Sequence, residues 1–235
     1  MKIEKSSELY TVVYNRLMRN RGDSRYVHRY LEMKQIDWDL WPDDMSGLVL
    51  DVACHIPLDA EIFSRFFGVE HIYLVDLRAL SRNSLPEKTS FVQNSATSLC
   101  FPNSIFDVVV SFSAIEHLPI RELQRTWVHE MVRVLKPGGI LLVTVDNAWS
   151  WLNRIWDRFR PPMRRISPTE LVVWVTESGN MKIEARTGGA LYYWGFRPPM
   201  RIFSYPAYIL DRILNLVSPF FPLLGNRIGY RFRKE

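Results

Sequence analysis

Two acids that close apolar runs mark where chemistry can sit in this chain. Val49-Leu50-Asp51 ends one run and Leu74-Val75-Asp76 ends another, 25 residues further on. A carboxylate at the tip of a buried strand accepts hydrogen bonds from hydroxyls. A spacing of about 20 residues is the one at which a second-strand acid meets a ribose in dinucleotide-binding folds. Asp51 runs into Val52-Ala53-Cys54-His55-Ile56-Pro57-Leu58. Ile62, Phe63, Phe66 and Phe67 then fall on one face of a helix over 59–67. Strand, loop and helix in that order open a nucleotide-binding unit. Such loops are normally rich in glycine, and this one contains none.

The surrounding pattern predicts the scaffold. Strands are expected at 48–52, 71–75, 90–92, 106–112, 140–145, 181–186 and 228–233. Helices are expected over 59–67, 121–135 and 168–178, with a short one within 78–88. Gly68 reads as a helix C-cap, and Pro137-Gly138-Gly139 stops the 121–135 helix. The uninterrupted apolar centre of Phe106-Asp107-Val108-Val109-Val110-Ser111-Phe112 suits a strand buried on both faces of a parallel sheet. The alternation predicts an α/β fold: a doubly wound, mostly parallel, seven-stranded Rossmann-like sheet that binds its ligand at the carboxyl ends of the strands. Residues 1–46 form a helical cap segment, 47–187 the core, and 188–235 a lid-like insertion with the closing strand, all within one domain.

Composition narrows the function classes. Hydrophobic residues make up 47% of the 235 and charged residues 23%, an ordinary globular balance. Cys54 and Cys100 have no partners at metal-ligand spacing, so they read as small buried hydrophobes and the expected metal set is none. The start of the chain lacks an apolar signal core, and no run of about 18 uncharged apolar residues occurs. A cytoplasmic protein is expected. Its charge is segregated: net +4 over 1–34, −7 over 35–149 and +8 over 150–235. Two basic ends folded over an acidic centre would present positive potential to a ligand.

The chain resembles the class I S-adenosylmethionine-dependent methyltransferases of the small single-domain type. Its most telling stretch runs from Phe106 through Ser113-Ala114-Ile115-Glu116-His117-Leu118. Arg133-Val134-Leu135-Lys136-Pro137-Gly138-Gly139 follows at the family's distance. The resemblance spans about 45–186 and implies S-adenosylmethionine as cofactor. It implies that Asp51 orients the cofactor loop, Ala53 and His55 lie in that loop, and Asp76 holds the ribose. It places Ser95 and Ala96 at the adenine and Ser111 and Phe112 at the methionine end. His117 is the candidate general base, and its rival reading is a structural pair with Glu116.

The family's loop reads Asp-x-Gly-x-Gly-x-Gly, and this chain has Ala53, His55 and Pro57 at the three glycine positions. His55 would bring an imidazole toward the methionine moiety, and Pro57 removes an N–H. Two readings stay open. One is a methyltransferase acting on oxygen or nitrogen of a small, glycan or lipid-linked anionic acceptor. The other is a non-catalytic scaffold that has lost its cofactor. Arg154, Arg158, Arg160, Arg164 and Arg165 interleave with Trp149, Trp151 and Trp156, which suits phosphate and ring contacts. No nucleic-acid module accompanies them. The apolar stretch 205–224, interrupted by Asp211 and Arg212, reads as a lid or as a peripheral membrane contact.

Overall fold

The computed structural model describes residues 15, 34, 36–55, 58–80, 85–158, 164–189 and 225–235. Most of the N-terminal cap segment and the whole 190–224 stretch, including 205–224, lie outside the described residues.

Seven strands form one sheet: β1 (Ser46–Val52), β2 (Gly68–Asp76), β3 (Thr89–Gln93), β4 (Phe106–Phe112), β5 (Leu135–Asp146), β6 (Met181–Gly189) and β7 (Arg227–Lys234). Their order is β3-β2-β1-β4-β5-β7-β6, and β7 alone is reversed, antiparallel to both β5 and β6. Chain order reverses between β1 and β4, so a crevice opens at their carboxyl ends. The expected α/β class is therefore observed, including the closing strand.

The strands read as apolar runs because both faces are covered. Val109, Leu141 and Val143 pack with Trp127, Val128 and Met131 of α2 (Arg121–Val134) and with Leu171 and Trp174 of α4 (Pro168–Ser178). Val108, Val110 and Leu142 face the other way, onto Phe63 and Ala60 of α1 (Leu58–Phe66) and onto Leu40 and Met45. Alternate residues of each central strand thus serve different layers. Helix α4 starts where its sequence says it should. The Ser167 hydroxyl accepts from the Glu170 N–H at 3.2 Å, and the Glu170 carboxylate accepts from the Ser167 N–H at 2.9 Å.

Several boundaries and two short elements differ from expectation. Gly68 opens β2 instead of capping α1, because its amide region already pairs with Ser46. Strand β5 begins at Leu135, paired with Phe106, so Pro137-Gly138-Gly139 lies inside the strand at an irregular register. The described residues of 78–88 are not helical, and a short helix α3 (Trp151–Trp156) occupies part of the irregular Trp/Arg segment, capped by Ser150. Among the described residues no helix is long and apolar enough to cross a membrane.

Candidate functional site

The cleft forms where three strand ends meet. Its volume is about 90 Å³, and its walls come from Ala53, from the Asp76–Leu77 tip of β2, from Asn94–Thr97 after β3, and from Leu118 and Trp127. A larger groove of about 790 Å³ lies between α4 and β6, but none of the strand-end acids lines it, so the strand-end cleft is the better candidate for chemistry.

The glycine-free loop keeps a glycine-like backbone. Ala53 has φ of 63° and His55 has φ of 43°, both in the left-handed region that residues with a Cβ rarely enter. Hydrogen bonds to β2 hold this shape. The N–H groups of Ala53 and Cys54 donate to the Val75 carbonyl at 2.7 and 3.2 Å, and that of His55 donates to Asp76 Oδ2 at 3.0 Å. His55 itself is exposed and contributes no wall to the cleft. The imidazole therefore leaves the cleft open. Ile56 and Pro57 lie outside the described residues.

Asp76 sits at the cleft wall. Its Oδ1 accepts from the Arg78 N–H at 2.9 Å, and its Oδ2 takes the His55 amide. A carboxylate offers about four acceptor sites, so two remain for ligand hydroxyls. Leu77, 65% exposed beside it, is an apolar side chain left at the cleft rim. Across the cleft, Ser95 Oγ and Thr97 Oγ1 share a hydrogen bond at 2.8 Å, Ala96 is buried, and Asn94 Oδ1 accepts from the Cys100 N–H at 3.1 Å. Sequence reasoning missed Leu77, Leu118 and Trp127. An apolar residue directly after the ribose-spaced acid was the available signal for Leu77.

The tip of β4 carries polar atoms without partners. Ser111 Oγ, Ser113 Oγ and Glu116 Oε2 are buried and unpaired among the described residues. Such groups are costly to bury unless something satisfies them. Ser111, Ser113 and Glu116 are not among the residues that wall the cleft; the spare acceptor sites of Asp76 and the apolar Leu77, Leu118 and Trp127, which are, suit an amphipathic, hydroxyl-bearing cofactor such as S-adenosylmethionine. Phe112 stands next to Ser111, half-buried, with the Lys34 ammonium 4.9 Å from its ring centre.

Beneath the site lies a layer of buried charges. Lys34 bridges Asp59 at 2.5 Å and Asp37 at 3.0 Å. Asp37 also accepts from the Thr144 hydroxyl at 2.7 Å and lies 3.6 Å from Arg227. Arg165 pairs with Asp157 and approaches Asp146 at 3.9 Å. Burial raises the carboxyl groups of Asp51 and Asp59 above their ordinary range, with Lys34 pulling both back. Burial, with Asp51 and Asp76 nearby, also holds the Cys54 thiol protonated and unreactive. Cys100, by contrast, is exposed, because it stands in the turn that follows β3 rather than in the core. The basic flanks are thus partly consumed inside the fold: Lys34, Arg165 and Arg227 are each 6% exposed or less.

Glu116 and His117 separate in the structure. Both belong to the single turn Ile115–His117 after β4, yet Glu116 is 2% exposed and His117 faces solvent. Glu116 Oε1 accepts from the Asp146 N–H at 3.1 Å. Burial, reinforced by the Asp146 carboxylate, pushes Glu116 up to about 8. It is therefore protonated at neutral pH in the folded protein and ionised in the unfolded chain. Its contribution to stability is complete below its ordinary value of 4.5 and is lost as pH rises through about 8. Glu116→Gln keeps the acceptor for Asp146 and removes the titration. Thermal melts are expected to show the variant and the parent alike near pH 4.5, with the variant ahead by at least about 4 °C at pH 8.

Comparison with known proteins agrees with this geometry. Residues 50–143 match the family model described as a methyltransferase domain. The 2-methyl-6-phytyl-1,4-hydroquinone methyltransferase of Synechocystis is 33% identical over 100 residues, covering 40% of this chain and 30% of that protein. The chain spans between about a third and two fifths of the length of the first curated relatives it matches. Among solved structures, the methyltransferase bound to the Trm112 activator of Haloferax volcanii superposes with a TM-score of 0.63 at 15% identity, covering 92% of this chain and 93% of that one. The N-methyltransferase NodS of Bradyrhizobium japonicum, solved with S-adenosyl-L-homocysteine, gives 0.54 at 12% identity over 88% and 86%. The strand order, the loop after β1 and these matches agree: residues 50–143 are similar to a methyltransferase domain, on a sheet that has the fold of solved methyltransferases.

Proposed function

We propose that the protein transfers a methyl group from S-adenosylmethionine to oxygen or nitrogen of a lipid-linked acceptor. The observation that carries the reading is the loop. Its glycines are gone, but Ala53 and His55 hold left-handed backbone, the cleft stays open, and Asp76 keeps free acceptor sites. When bound, the cofactor supplies an electrophilic methyl on a sulfonium. The protein's work is alignment and exclusion of water. Asp76 receives the ribose hydroxyls. Leu77, Leu118 and Trp127 wall the base, with Ser95 and Ala96 on the far side. Ser111 and Phe112 meet the methionine end at the β4 tip, and Asp51 below holds the loop's root. His117, exposed beside that tip, takes the proton of a hydroxyl or ammonium acceptor in this reading. His117→Ala with unchanged turnover would remove it from that role.

The phytyl chain in the name of the Synechocystis relative supports an apolar carrier for the acceptor. Calorimetric titration with S-adenosylmethionine and S-adenosylhomocysteine tests the reading, and micromolar binding is expected. No heat at millimolar ligand would overturn it in favour of a non-catalytic binding protein, the alternative that the absent glycines favour.

A further inference from the structure

We propose that the rim built from α3 and the start of α2 docks on an anionic lipid surface. The proposal rests on the lipid-linked acceptor reading. It begins with four large apolar side chains left in solvent. Trp151 is 51% exposed and Ile155 44%, and their spacing of four puts them on one face of α3. Ile120 is 50% exposed and Leu123 37%, three residues apart where α2 begins. The two pairs flank one short segment. Arg121 donates to the Arg165 carbonyl at 2.9 Å and Gln124 to the Arg164 carbonyl at 2.7 Å, while Arg165 pairs with Asp157 directly after α3. Both pairs lie at the carboxyl edge of the sheet, because α3 follows the end of β5 and α2 follows the turn after β4. Leu118, a wall of the cleft, is two residues from Ile120.

Charge decides the occupant. Arg154 lies on α3, Arg158 two residues beyond it and Arg164 on the segment that Gln124 holds, and all three are exposed. Of the acids nearby, Asp157 is held by Arg165, Glu170 by Arg121 and Glu177 by Arg125, which leaves Glu122 exposed. A positive ring around Trp and aliphatic side chains matches an anionic headgroup layer over acyl chains, and Trp suits the boundary between them. A nucleic acid would use the arginines and the ring but has no place for Ile120, Leu123 and Ile155. The mouth of the site would then face the surface that carries the acceptor.

Flotation of the full chain with vesicles of phosphatidylcholine and phosphatidylglycerol in equal parts, and of phosphatidylcholine alone, tests this. The parent is expected to float with the anionic vesicles. Trp151→Ser with Ile155→Ser is expected to bind about tenfold more weakly. Arg154→Gln with Arg158→Gln is expected to lose the preference for anionic vesicles and most of the salt dependence. All four positions are exposed, so melting temperature and S-adenosylhomocysteine affinity are expected to stay at parental values. No flotation of the parent, or equal flotation of the Trp151/Ile155 variant, would overturn the proposal. Tighter binding to a single-stranded oligonucleotide, lost in the same variant, would assign the rim to nucleic acid instead. Flotation without cofactor binding would leave the docking rim standing and remove the enzyme reading alone.

Discussion

Asp76→Ala is expected to lower the affinity for S-adenosylmethionine by at least about a hundredfold. Two charge-assisted hydrogen bonds from ribose hydroxyls are each worth about 1.5–3 kcal/mol, and every 1.4 kcal/mol is about tenfold. The substitution also frees the His55 and Arg78 amides that the carboxylate now holds at 3.0 and 2.9 Å. The loop would lose one of its ties to β2 as well as the ligand's anchor. Asp76→Asn offers one carbonyl oxygen where two oxygens accept today, so an intermediate loss is expected. Calorimetry with S-adenosylhomocysteine reads both variants. A dissociation constant unchanged in Asp76→Ala would place the cofactor elsewhere or nowhere on this chain.

Lys34→Ala is expected to have the largest effect on stability, a loss of about 3–5 kcal/mol. Removing the ammonium leaves Asp59 and Asp37 buried without their shared cation, and Asp37 keeps the Thr144 hydroxyl and the more distant Arg227. For a chain of this size the melting temperature should fall by about 2–4 °C for each kcal/mol lost. The double change Lys34→Met with Asp59→Asn removes both charges and is expected to recover most of the loss, because the desolvation cost disappears along with the pairing. Lowering the pH should also narrow the gap between Lys34→Ala and the parent, since burial already raises the Asp59 carboxyl and protonation removes its uncompensated charge. Chemical denaturation across pH 5 to 8 reads all three. A loss in Lys34→Ala that neither the double change nor acid recovers would mean that lost packing, rather than the unpaired charge, causes it.

The sequence showed the sheet's centre well and its edges less well. Residues 106–112 were read to the residue because a strand covered on both faces leaves an unbroken apolar run. Residues 168–178 were read to the residue because Ser167, Glu170 and Gly179 mark both ends. The start of β5 was hidden by Pro137-Gly138-Gly139. These are breakers by type, yet they are tolerated where the register with β4 is already irregular. Helix α3 was hidden among Trp and Arg, because six residues are too few to show a period. In the candidate site, the position of Asp76 at the cleft wall was legible from its spacing and its register with Asp51. The buried layer was not, because Lys34, Arg165 and Arg227 look like solvent-facing charge until their partners from distant parts of the chain are in place. The same blindness made the basic ends look like free positive potential, when three of those cations are matched internally.

The left-handed pair Ala53 and His55 has a thermodynamic consequence. A glycine loop gains reach by being floppy, and it gives up that freedom when a ligand fixes it. This loop has side chains at both positions and is stitched to β2 by three amides. It has little disorder left to surrender. Its bent shape is prepaid during folding, so ligand capture would proceed with a small entropic penalty and with backbone exchange rates that barely change on binding.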